Sequence, residues 1–185
     1  MRTKLFLLFM SLSILTIGCK KDEEQIINPP AQEDWTFPAN STKFSVTLYC
    51  EKQIVRVGET FDVKVILYNI PDVFGTALEV SYTSSTASIA QQLMGPHFTP
   101  SSSVLAVSRI EAAKNAASYG ITYQNGSNRI SSGSGVVVKF KCTATTSGNA
   151  QFTVNRQKLE IRKADGSLIN NFASLQVENL TIVVQ

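Results

Sequence analysis

Residues 44–68 read FSVTLYCEKQIVRVGETFDVKVILY. Phe44, Val46, Leu48 and Cys50 alternate with Ser45, Thr47 and Tyr49, so an extended chain here is apolar on one side and more polar on the other. A period of two is the mark of a strand with one face on a core. The Gly58-Glu59 turn signal then leads into FDVKVILY (61–68), a second strand. The fold class depends on whether this pattern continues along the chain.

It does. Ala77-Leu78-Glu79-Val80-Ser81-Tyr82 forms a third alternating run, and further runs lie at 104–109, 119–123, 136–142, 151–154, 159–162 and 175–184. Turn-forming groups separate most of them: Asn125-Gly126-Ser127-Asn128, Gly133-Ser134-Gly135, Ser147-Gly148-Asn149 and Ala164-Asp165-Gly166. Helix is scarce. EAAKNAA (111–117) holds good helix formers but is too short to persist between strands, so it predicts a turn or a single helical turn. Nine short strands with this spacing predict an all-β fold, a two-sheet β-sandwich.

The N-terminal end has a different character. Residues 1–18 (MRTKLFLLFMSLSILTIG) carry Arg2 and Lys4, then an apolar run, then small residues beside Cys19. That order is a secretory signal peptide, and the run falls short of the roughly 20 apolar residues of a spanning helix. Thr16-Ile17-Gly18-Cys19 resembles a bacterial lipobox, which implies lipidation of Cys19 as the mature N-terminus. Residues 19–40 combine mixed charge, amides and prolines, and read as a lipidated N-terminus and flexible tether. Its Asp22-Glu23-Glu24 run resembles the surface-export signal of Bacteroidetes lipoproteins. The expectation is a lipid-anchored protein of the outer membrane and cell surface, meeting the membrane through its anchor alone. Residues 41–185 have the size of one domain. Losing residues 1–18 removes two bases and no acid, lowering the formal charge from +3 to +1, which gives no electrostatic case for nucleic acid.

The order of the pieces resembles the cohesin domain, a nine-stranded jelly roll that binds dockerin modules. The residues that carry the likeness are Val57-Gly58-Glu59-Thr60-Phe61-Asp62-Val63, the GTALEVSY run (75–82), Tyr119-Gly120-Ile121-Thr122 and GSGVVVKF (133–140). Thr146-Ser147-Gly148-Asn149-Ala150 and the Asp165-Gly166-Ser167 hairpin complete it. Thr83 stands where family members often carry Asp, and residues 84–103 have no clear counterpart.

Alternation assigns faces. Leu78, Val80 and Tyr82 point inward and leave Glu79, Ser81 and Thr83 outward; Tyr119, Ile121 and Tyr123 leave Thr122 and Gln124 outward; Val136, Val138 and Phe140 leave Lys139 and Lys141 outward. The resemblance implies that these strands share the sheet on which cohesins receive their partner. Glu79, Ser81, Thr83, Thr122, Gln124, Lys139 and Lys141 are therefore the expected partner-binding residues.

Chemistry is sparse. Cys50 and Cys142 fall on inward faces in an oxidising compartment, which leaves open a cross-sandwich disulfide or two separate buried thiols. The one histidine, His97, lies in the loop MGPHFTP, and no G-x-S-x-G elbow accompanies it. Asp62, Asp72 and Asp165 stand apart, without the spacing of a calcium loop. No catalytic residue, metal site or cofactor is expected. The reading is a non-catalytic binding module that docks another extracytoplasmic protein. The alternative is a carbohydrate-binding module of a surface glycan-utilisation system, with Trp35, Phe37, Tyr49, Tyr68 and Tyr123 as stacking rings. A row of coplanar exposed rings would favour sugar; a flat polar sheet with a few apolar spots would favour protein.

Overall fold

The computed structural model describes residues 33–39, 44–99, 103–125, 128–130, 132–169 and 174–185. Cys19 and its signal peptide lie outside them. The compact unit spans Asp34–Gln185. Its strands are β1 (Ser45–Tyr49), β2 (Ile54–Val55), β3 (Thr60–Tyr68), β4 (Gly75–Tyr82), β5 (Ala87–Met94) and β6 (Val104–Glu111). The second half holds β7 (Ala116–Tyr123), β8 (Gly135–Ala144), β9 (Gly148–Val154), β10 (Glu160–Arg162), β11 (Gln176–Glu178) and β12 (Leu180–Val184). EAAKNAA yields one 3-10 turn, Ala112–Lys114, closed by Asn115 in the left-handed region.

Two sheets form the all-β sandwich. One has five strands in the order β11-β1-β3-β8-β5; the other has seven, β2-β12-β9-β4-β7-β6, with β10 also on β4. Inward side chains from both make one core that includes Val63, Val65, Val80, Phe140 and Phe152, each fully or nearly fully buried. Burying a side chain of this kind contributes about 1.5–3 kcal/mol. Leu78, Val80, Tyr82, Tyr119, Ile121 and Tyr123 all face this core, as alternation predicts.

The strand count exceeds nine for identifiable reasons. The 175–184 run splits at Asn179: β11 pairs in parallel with β1, whereas β12 pairs with β9 in the opposite sheet. β5 comes from residues 84–103, which carried no strand prediction. Its alternation breaks at a register shift between Ile89 and Gln91, and β5 is an edge strand that needs only one apolar face. β2 is a two-residue edge piece on β12.

A second, smaller apolar cluster lies outside the five-stranded sheet: Ile66, Tyr68 and Val136, covered by Trp35, Phe37 and Tyr49. Val136, expected inward, packs outward because a register shift opposite Val65 and Ile66 resets the alternation of β8. The cover is a strap. Residues 34–38, expected as the end of the tether, lie across β3 and β8. Lys64 Nζ donates to Asp34 Oδ2 at 2.6 Å and to the Thr36 carbonyl at 2.7 Å. Lys139 Nζ donates to the Asp34 carbonyl at 2.9 Å and stands 4.5 Å from the Trp35 ring centre, with Asp62 Oδ2 3.2 Å away. Tyr68 OH donates to the Pro38 carbonyl at 2.7 Å, and Phe37 meets the Tyr68 ring edge-on at 5.9 Å. VKVILY in β3 is thus covered on both faces, which accounts for its near-continuous apolar character.

Candidate functional site

With the strap lying across β3 and β8 on one outer face, the other candidate surface is the outer face of the seven-stranded sheet, and its geometry follows from register. Val107 on β6 lies opposite Gly120 on β7, Gly120 opposite Ala77 on β4, and Ala77 opposite Glu160 on β10. The next row runs Leu105, Thr122, Gly75, Arg162. Leu105 and Val107 are 53% and 64% exposed, two branched aliphatic side chains next to each other on one strand face. Between them and β10 lies a trough of about 430 Å³ floored by Ala77 and Gly120. A second depression of about 420 Å³ shares Val107, Gly120 and Ala77 and continues toward Glu79 and Arg109.

The carboxylates around this strip are paired within the chain. Glu79 accepts from Lys158 Nζ at 2.6 Å, Asn155 Nδ2 at 3.1 Å and Ser118 Oγ at 3.4 Å. The Lys158 hydrogen bond, then that of Asn155, holds its carboxyl below the usual range against the opposing effect of burial. Glu160 takes Arg162 Nε at 3.0 Å and Nη2 at 2.8 Å. Glu111 is held low chiefly by Lys114, at 2.5 Å, with Arg109 at 3.5 Å.

Of the expected partner-binding residues, the structure brings Glu79, Ser81 and Thr122 onto this face. Glu79 is nearly buried and engaged, Ser81 is exposed, and Thr122 is half-buried with its hydroxyl on the Tyr123 carbonyl at 3.2 Å. Thr83 lies just past β4, its hydroxyl accepting from Gln151 N at 3.3 Å, and Gln124 is exposed just past β7. Lys139 and Lys141 do not join them, which corrects the expectation of one sheet. β8 pairs with β3 and β5 in the five-stranded sheet, and Lys139 is fully buried under the strap. Period two tells which side of its own strand a residue takes; it carries no information on which strands are neighbours. Leu105, Val107 and Gly120 were missed. The available signal was VLAV in β6, apolar on both faces where its neighbours alternate.

Cys50 and Cys142 are both free and buried in the core. Of the two readings left open, the structure has the separate thiols: Cys50 directly follows β1 and Cys142 is on β8, in the same sheet with β3 between them. Two strand spacings put the backbones about 9–10 Å apart, beyond the roughly 7 Å that a disulfide spans. Burial pushes both thiols up, Cys142 the more. His97 lines a polar depression of about 270 Å³ with Thr99, Tyr123, Arg129, Ser132 and Ser134, and no carboxylate is among these described residues. Burial brings its imidazole down to about 4. Of the rings considered for sugar stacking, Tyr68 and Tyr123 are buried, and Trp35, Phe37 and Tyr49 are half-buried in the strap cluster. Among the described residues, no group of three or more His, Cys, Asp or Glu is placed to hold a metal, and no helix is long and apolar enough to cross a membrane.

Layering, strand order and strap together define an all-β sandwich with a jelly-roll fold. Comparison with solved structures gives that fold its type. A type II cohesin domain from the cellulosome of Acetivibrio cellulolyticus is 12% identical, with a TM-score of 0.66 over 76% of this chain and 95% of that one. A non-cellulosomal cohesin from the hyperthermophilic archaeon Archaeoglobus fulgidus is 20% identical, with a TM-score of 0.59 over 76% and 91%. The cohesin–dockerin complex Coh-OlpA–Doc918 from Clostridium thermocellum gives 13% identity and a TM-score of 0.61 over 76% and 99%. The fold of this chain is cohesin-like. No protein-family model and no curated protein matches the sequence.

Proposed function

We propose that this chain is a non-catalytic docking module that receives another extracytoplasmic protein on the outer face of its seven-stranded sheet. The observation that carries the reading is the exposed Leu105–Val107 strip beside the Gly120–Ala77 floor. A flat polar sheet with a small apolar centre is the anatomy of a protein interface, and rings laid out for sugar are not among the exposed large side chains. The cohesin-like fold adds support by analogy, since a structural neighbour is a cohesin in complex with a dockerin. The archaeal neighbour is described as non-cellulosomal, so the reading does not require a cellulosome. Lipidation at Cys19 would hold the module on the outer membrane at the cell surface.

Val107→Asp tests the reading. Its side chain is mostly exposed, so stability should change by no more than about 0.5 kcal/mol. Capture of a protein from an outer-membrane fraction should fall by about tenfold or more. Retention of polysaccharide alone, undisturbed by Val107→Asp, would favour the carbohydrate-binding alternative. For the anchor, Cys19→Ala should move the protein from the membrane pellet to the soluble fraction; continued membrane partitioning would refute lipidation.

A further inference from the structure

Gly120 occupies the middle of β7 on the outer face. A glycine inside a strand weakens it, and its usual reasons are an unusual backbone angle, internal crowding or close approach by another molecule. The first two do not apply. Gly120 is not in the left-handed region, and a Cβ built on it would meet nothing nearer than Ala77 Cβ and the Thr76 carbonyl, both at 4.0 Å. Gly75, by contrast, would bring a Cβ within 2.9 Å of Thr122 Oγ1. Close approach from outside is the reason that remains.

The surroundings describe what approaches. From Val107 to Glu160 the sheet spans three strand spacings, roughly 14 Å, with only Gly120 and Ala77 between. The depressions are lined by three carboxylates, Glu79, Glu111 and Glu160, each already engaged by a cation of this chain. Four lining cations, Arg109, Lys158, Arg162 and Lys163, outnumber them, and the flanking Lys114 and Asp165 add one charge of each sign, leaving a surplus of one positive charge. The strip is apolar at its centre and carries a surplus of positive charge at its rim. Resting on the docking reading above, we propose that Gly120 and Ala77 floor a slot for one large apolar side chain of the docked protein, on a segment with carboxylates beside it.

The test uses full-length 15N-labelled protein and three blocked tripeptides, Glu-Phe-Glu, Lys-Phe-Lys and Glu-Ala-Glu, followed by amide shifts. Glu-Phe-Glu should move the signals of Ala77, Val107 and Gly120 and bind about fivefold more tightly than Lys-Phe-Lys. Glu-Ala-Glu should leave them in place. Gly120→Val, which fills the slot, should weaken Glu-Phe-Glu by about tenfold with an unchanged or higher thermal midpoint, and Gly120→Ala should fall between. Binding at Leu105 and Val107 that survives Gly120→Val overturns the slot but leaves the docking face. No shift on this face with any peptide overturns the slot, while the docking reading is judged separately by capture with Val107→Asp. Shifts evoked instead by a cello-oligosaccharide, or by protein concentration alone, assign the surface to a glycan or a second copy and overturn the proposal.

Discussion

Asp34 shows how one side chain can decide the state of a whole surface. Its carboxylate meets Lys64, its carbonyl meets Lys139, and both amines are buried on the outer face of the five-stranded sheet. Without the Asp34 carboxylate, Lys64 loses its one charged acceptor in a site that admits little water and keeps only the Thr36 carbonyl, so the strap should loosen around Trp35. Trp35 is the single tryptophan and sits on this strap, so its fluorescence reports the event directly. Asp34→Ala should shift Trp35 emission to the red while far-ultraviolet dichroism stays that of the intact sandwich. The pH dependence follows from the Lys64 hydrogen bond, which holds Asp34 well below the usual carboxylate range. A depressed folded pKa gives stabilisation that is full above the ordinary value, near 4, and is lost as pH falls toward the depressed one. Trp35 emission should therefore stay flat from neutrality to about pH 4 and redden only in stronger acid. A transition centred at pH 4 would contradict the pairing.

β8 carries the main lesson about elements. GVVVKFKCTA reads as a strand without difficulty, and Val138, Phe140 and Cys142 do face the core. What could not be read was its place between β3 and β5, because hydrogen-bonding partners are set by tertiary packing rather than by local period. Lys139 and Lys141 were misplaced for that reason. β5 was missed for another: Gln91 and Gln92 interrupt its alternation at the register shift, and an exposed edge asks little of composition. Gly135, at the start of β8, gives the element a specific weak point. A methyl group there would collide with the His97 ring, and His97 is tied to β8 by its own amide on the Val136 carbonyl at 3.1 Å. Gly135→Ala should cost about 1–3 kcal/mol in chemical denaturation. A Gly135→Ala, His97→Ala pair should recover part of that loss; no recovery would place the strain elsewhere.

At the scale of the molecule, the sandwich was legible because both sheets bury one face, and that alone produces period two. The proposed docking surface was less so: alternation puts Glu79, Ser81 and Thr122 on its face, whereas Leu105 and Val107 are apolar residues whose exposure only the assembled sheets reveal. The two core thiols make a statement about the whole fold, since both are almost wholly shielded from solvent within it. Cys50 and Cys142 should resist alkylation in the native protein and both react after denaturation without reductant. A pair unreactive until reduced would signal a bond at odds with the free thiols and the β1-β3-β8 order. The strap has one more consequence. Residues 34–38 join the sandwich on the wall opposite Leu105 and Val107. A visitor landing on those two aliphatics would therefore stand back to back with the strap, and neither would need to step aside for the other.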